Sequence, residues 1–136
     1  MNKANNDVIA ERVGKWFPWL WRVQAFYFVV TGLWPCIEIR SFQKVSGPKT
    51  DLWLVKTVGV LVSVIGGVIA AAGMRRRITP EVAGLAVGSS AGLAAIDIYY
   101  SLRGRISRVY LLDALAEAVF IGAWGAALWR RAGNRG

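Results

Sequence analysis

The side chains able to do chemistry in this chain are mostly acids set inside or beside apolar runs. Glu38, Asp51, Asp97, Asp113 and Glu117 lie toward one end of these runs, and Lys56 lies at a similar depth. A charged group inside an apolar span is costly, so it faces a bundle interior or a cavity and marks a candidate site. Asp113 and Glu117 are four residues apart and share one face of a helix. Glu117 is the deepest acid, seven residues beyond Tyr110, or roughly 10 Å along a helix that rises 1.5 Å per residue. Two readings follow. In one, Asp97, Asp113 and Glu117 pair with Lys56, tyrosines or loop arginines and lock the helices together. In the other they line a polar pocket open to the non-cytoplasmic side. Asp51 reads as a helix cap and Glu38 as a headgroup-layer residue. Trp34, Phe26, Tyr27 and Trp124 lie deep enough to wall an apolar ligand. The candidate ligand-binding set is Asp97, Asp113, Glu117, Lys56, Glu38, Tyr110 and Trp34.

Other chemistries lack their residues. Histidine is absent and Cys36 is the only cysteine, which removes histidine-ligated haem, histidine metal sites and Ser–His or Cys–His nucleophile pairs. No catalytic residue, metal site or cofactor is assigned, since a carboxylate-only site for a hard cation wants more oxygen ligands in a defined loop. A net charge of +9 would suggest nucleic acid in a soluble protein. Here the cations cluster just beyond apolar runs, as in Arg75-Arg76-Arg77 and Arg130-Arg131, where they meet anionic headgroups and set orientation. Membrane lipids are therefore the expected partner, and nucleic acid is not.

The elements that must hold these acids are helices. Apolar residues make up 55% of the 136, and a run of about 20 crosses a hydrocarbon layer roughly 30 Å thick. Four runs fit, at residues 17–37, 52–73, 82–100 and 110–129, giving an all-α, integral membrane four-helix bundle with no room for a second domain. Residues 1–16 read as a short polar tail or interfacial helix without a cleavage site. Pro35 kinks or ends the first helix, Gly47-Pro48 marks a turn, and Thr50 or Asp51 caps the second helix. Thr79-Pro80-Glu81 is the clearest start signal: a cap, a proline at the first helical position and an acid at the positive end of the dipole. Gly104 reads as a C-cap and Ser107 as the cap of the last helix.

Gly84, Gly88 and Gly92 recur every fourth residue, so they form one face and are expected to pack against Gly59, Ser63 and Gly67. Gly32 to Ile37-Glu38-Ile39 echoes Gly92 to Ile96-Asp97-Ile98, which suggests two repeated hairpins. Ten lysines and arginines fall on the side of the termini and the Arg75 loop, against seven on the other side, which favours both termini in the cytoplasm of a bacterial inner membrane.

Four stretches carry a resemblance. They are Thr31-Gly32-Leu33-Trp34-Pro35, Ser46-Gly47-Pro48-Lys49-Thr50-Asp51-Leu52-Trp53-Leu54-Val55, Ala95-Ile96-Asp97-Ile98-Tyr99, and the run from Arg103-Gly104-Arg105 to Leu112-Asp113. Together they resemble a group of small bacterial four-span membrane proteins and, at fold level, the broad DoxX-like class, which includes quinone-linked oxidoreductase subunits. The expectation is a membrane module that binds an apolar or amphiphilic ligand of lipid or quinone type, or that serves as an accessory subunit of a larger membrane complex or a homo-oligomer. The alternative is a proton- or cation-coupled transporter of a small molecule. A redox subunit is disfavoured because the chain holds no redox group of its own.

Overall fold

A computed structural model describes residues 18–129 together with Ala4, Glu11, Val13 and Lys15. Most of the polar tail, with Trp16, and the final arginines Arg130, Arg131 and Arg135 lie outside the described residues. The chain is all-α. Its described helices are α1 (Leu20–Ile37), α2 (Ile39–Ser46), α3 (Leu52–Met74), α4 (Pro80–Leu102) and α5 (Val109–Trp129).

Local chemistry sets the ends of these helices. Thr79 Oγ1 accepts from Val82 N at 3.3 Å and Pro80 opens α4. Ser107 Oγ accepts from Val109 N at 3.3 Å at the start of α5. Asp51 sits at the N-cap of α3 but its side chain makes no capping bond there. Helices α3 and α4 close with the same motif, in which Arg77 N donates to Ala72 O and Arg105 N donates to Tyr100 O, both at 2.9 Å. That motif needs a left-handed residue just past the helix. Gly104 fills the position at φ 68°, and Arg76 fills it at φ 52°.

The expectation of four transmembrane helices needs correction. Among the described residues three helices, α3, α4 and α5, are long and apolar enough to cross a membrane, and α1 is not one of them. The run 17–37 is long enough, but α1 carries Arg22, Gln24, Tyr27, Thr31, Trp34 and Pro35 among its 18 residues. Several of these polar groups are consumed inside the protein, as described below, so α1 owes its place to its neighbours rather than to its own hydropathy. The segment 38–51, expected as a simple connection, also contains a helix of its own. Pro35 lies in the last turn of α1, and at Glu38 the backbone breaks to φ −138°, ψ 83°. The Glu38 carboxylate then accepts from Arg40 N at 3.0 Å and starts α2. Trp34 holds α2 down: its indole N–H donates to Ser41 Oγ at 2.8 Å and its ring packs edge-on against Phe42.

Helices α1 and α3 pack most closely. A Cβ on Gly59 would overlap the Gly32 carbonyl and stand 3.2 Å from Pro35, and one on Gly66 would stand 2.9 Å from Phe28 Cβ. Glycine lets these two backbones touch. The expectation for Gly84, Gly88 and Gly92 is overturned. A Cβ on any of the three, or on Gly67, would meet nothing within 4 Å, and the partner of Gly59 and Ser63 is α1. The core lies where α1, α4 and α5 converge, around Leu20, Ala86, Phe120, Ala123 and Trp124. Outward lie Val60, Leu61, Val64 and Val68 of α3 and Leu112, Leu115 and Val119 of α5. An apolar belt of that extent suits hydrocarbon rather than water.

Candidate functional site

Asp97 comes from α4 and Asp113 and Glu117 from α5, and all three reach the space that α1 shares with these helices. On α5, residues 113, 117, 120 and 124 follow the i, i+4, i+7, i+11 spacing of a single face. On α4 the buried positions Ala83, Ala86, Ser90, Ala94, Asp97 and Ser101 do the same. The two faces enclose a ladder of polar groups running parallel to the helix axes.

Gln24 of α1 is the inner rung. Its side chain is fully buried, and each of its polar atoms is used. Nε2 donates to Ala86 O at 3.1 Å and to Ser90 Oγ at 3.0 Å, while Oε1 accepts from the Trp124 indole at 2.6 Å. Ser90 in turn stands beside the Glu117 carboxyl. One turn along α1, the Tyr27 hydroxyl donates to Asp113 Oδ1. Three helices are thus tied by one amide, one indole, one serine and one phenol.

The acids are left incomplete. Glu117 is 1% exposed and Asp97 is 6% exposed. Glu117 Oε2 and Asp97 Oδ2 are buried with no hydrogen-bond partner among the described residues. The charged groups that act on the Glu117 carboxyl are the other two acids, Asp113 and Asp97. A buried acceptor without a donor, beside like charges, is costly wherever water is excluded. Ser101, one turn beyond Asp97, turns its hydroxyl to the Ser107 carbonyl at 3.4 Å, within the α4–α5 turn. Among the described residues, no three His, Cys, Asp or Glu groups are disposed to hold a metal ion.

The other candidates take different places. Lys56 is exposed on α3, and its carbonyl accepts from the Cys36 thiol at 3.5 Å. Glu38 is exposed and caps α2. Tyr110 is half-buried one turn before Asp113, with the Lys49 ammonium 4.8 Å over its ring. Trp34 is half-buried against α2, and Phe26 points outward at 72% exposure. Arg40, Lys44, Arg103, Arg105 and Arg108 are all exposed at this end of the helices, so an acidic interior sits under a basic rim. Sequence reasoning missed Gln24 and Ser90. The signal for Gln24 was available, since an amide inside an apolar run must find partners or stay out of the membrane.

Helix pattern and site together define a helical membrane protein with a buried, donor-poor carboxylate cluster. Compared with known proteins, the chain matches no family model, and no curated protein or solved structure is significantly similar to it.

Proposed function

We propose that this protein is a small membrane module that binds an amphiphilic molecule, with the polar end of the molecule held by Asp97, Asp113 and Glu117. The observation that carries this reading is the pair of buried carboxylate oxygens on Asp97 and Glu117 that find no donor among the described residues. A purely structural cluster would be expected to close on its own donors, as Gln24 does. The acids lie about one to two turns inside the helix ends, and the ends of a spanning helix sit near the headgroups. A ligand with a polar head and an apolar tail fits that depth.

The resemblance to DoxX-like proteins supports the same class of small membrane module. We assign it to a bacterial inner membrane with the Arg75, Arg76 and Arg77 turn in the cytoplasm, from the excess of cations on that side. Native mass spectrometry of gently purified protein tests the binding reading. Wild-type protein should carry a co-purifying small molecule that Glu117→Gln loses while keeping its helical circular dichroism. Equal retention by both would sink the reading. A reporter fused after Arg135 tests the orientation, and it should work only if it is of the cytoplasmic type.

A further inference from the structure

We propose that the head of the ligand is an ammonium group, so that the site takes a lipophilic amine or the amine of a lipid headgroup. This rests on the binding reading above and specifies its chemistry. Asp97 makes no hydrogen bond to the described residues, is 6% exposed, and leaves Oδ2 without a partner. Glu117 stands beside Ser90, is 1% exposed, and leaves Oε2 without a partner among the described residues. Asp113 receives only the Tyr27 hydroxyl. The site therefore demands several donors together with positive charge.

Each alternative head group meets that demand less well. A quinone brings carbonyl oxygens, which are acceptors facing acceptors. An alcohol brings a single donor and no charge. An anionic head is repelled by three acids. A bare metal ion needs its oxygens in direct contact, and the acids are not disposed to hold one. An ammonium carries three donors and a full charge on a compact centre. Lys56, the cation expected to compensate the acids, is exposed on α3, and the groups acting on Glu117 are acidic. Among the described residues no cation acts on Asp97, Asp113 or Glu117, so the charge comes with the ligand. Depth fixes the rest of the molecule. Asp97 lies five residues before the end of α4 and Glu117 eight residues after the start of α5, or roughly 8 and 12 Å inside at 1.5 Å per residue. The carbon chain of the amine then runs along the apolar helix surfaces.

The test uses the full chain in phosphatidylcholine nanodiscs at pH 7, titrated with dodecylamine, dodecanol and dodecyl sulfate. Dodecylamine should bind saturably and raise the melting temperature, and the other two should not. Asp97→Asn and Glu117→Gln should each weaken dodecylamine binding by about tenfold or more, the scale of one charge-assisted hydrogen bond. If either variant fails to fold, the comparison of the three probes on wild-type protein still decides. Dodecanol binding as tightly as dodecylamine, with both lost in Glu117→Gln, would overturn the ammonium assignment and leave the amphiphile reading standing. Saturable binding of none of the three would overturn both. Adding phosphatidylethanolamine to the nanodiscs separates the two sources. Competition with dodecylamine identifies a lipid headgroup, and no competition identifies a free amine. Either result supports the assignment.

Discussion

In the first helix pair, α1 and α3, Gly32 and Gly59 lie backbone against backbone. In the second, α4 and α5, Gly84, Gly88 and Gly92 look out into open space. The acids Glu38 and Asp97 part in the same way. Glu38 follows Pro35 by three residues, falls where the helix breaks, and ends exposed as the cap of α2. Asp97 follows Ala94 and Ala95, stays inside an unbroken helix, and is buried. The nearby proline separates these outcomes, because it removes a backbone donor and lets the chain turn away from the axis. The α1–α3 pair is a close-packed strut, and the α4–α5 pair carries the buried acids.

The largest expected effect tests the glycine contrast. Gly59→Leu forces a side chain into the Gly32 carbonyl and Pro35, and should cost about 3 kcal/mol of stability by overpacking. Gly88→Leu should stay within about 0.5 kcal/mol. Denaturant melts of both variants in a nonionic detergent decide the matter, and equal losses would mean the α4 face is covered after all. Next comes Gln24→Leu, which strips the acceptor from Trp124 and the donor from Ser90 and Ala86. A loss of about 1–2 kcal/mol is expected in the same melts. No loss would show that the glycine seam alone holds α1. The smallest effect belongs to Tyr27→Phe, which removes the donor to Asp113 and should cost about 0.5–1 kcal/mol. Tyr99→Phe, at an exposed ring, serves as the control and should leave the melt unchanged.

Much of the scaffold was legible before the structure. The Thr79-Pro80-Glu81 start, the turn at Gly104 and the helices over 52–73, 82–100 and 110–129 depend on local chemistry, and each stands within a few residues of its expected bounds. The nearness of Asp113 to Glu117 followed from helical spacing alone. What stayed hidden was which face meets which. A helix that borders both lipid and protein is apolar all round, so its sequence carries no stripe that marks the inward side. Gly84, Gly88 and Gly92 therefore looked like a packing face, and the true contact at Gly32, Gly59 and Gly66 lacked their regular spacing. Lys56 was matched to the acids by depth, yet it sits on a helix whose inner face is given to α1. Helix α2 escaped notice because eight residues give too short a period to read. The polar residues of α1 were in plain view, but their cost was not weighed against the run's length.

That cost has a consequence in time. Gln24 is made early, while its partners Ala86, Ser90 and Trp124 follow 62, 66 and 100 residues later. At synthesis rates of about 5–20 residues per second, the amide waits roughly 5–20 s for the last of them. Until then the amide oxygen has no partner, even once Ala86 and Ser90 have met the nitrogen, and the helix that carries it is not apolar enough to cross a membrane by itself. Final docking of α1 should therefore come late, after α5 has left the ribosome, so that an incomplete chain is left with a first helix seated only on α3, which quality-control proteases can recognise. An arrest-peptide series that reads pulling force against chain length should show a late event once Trp124 has emerged, and Gln24→Leu should abolish it.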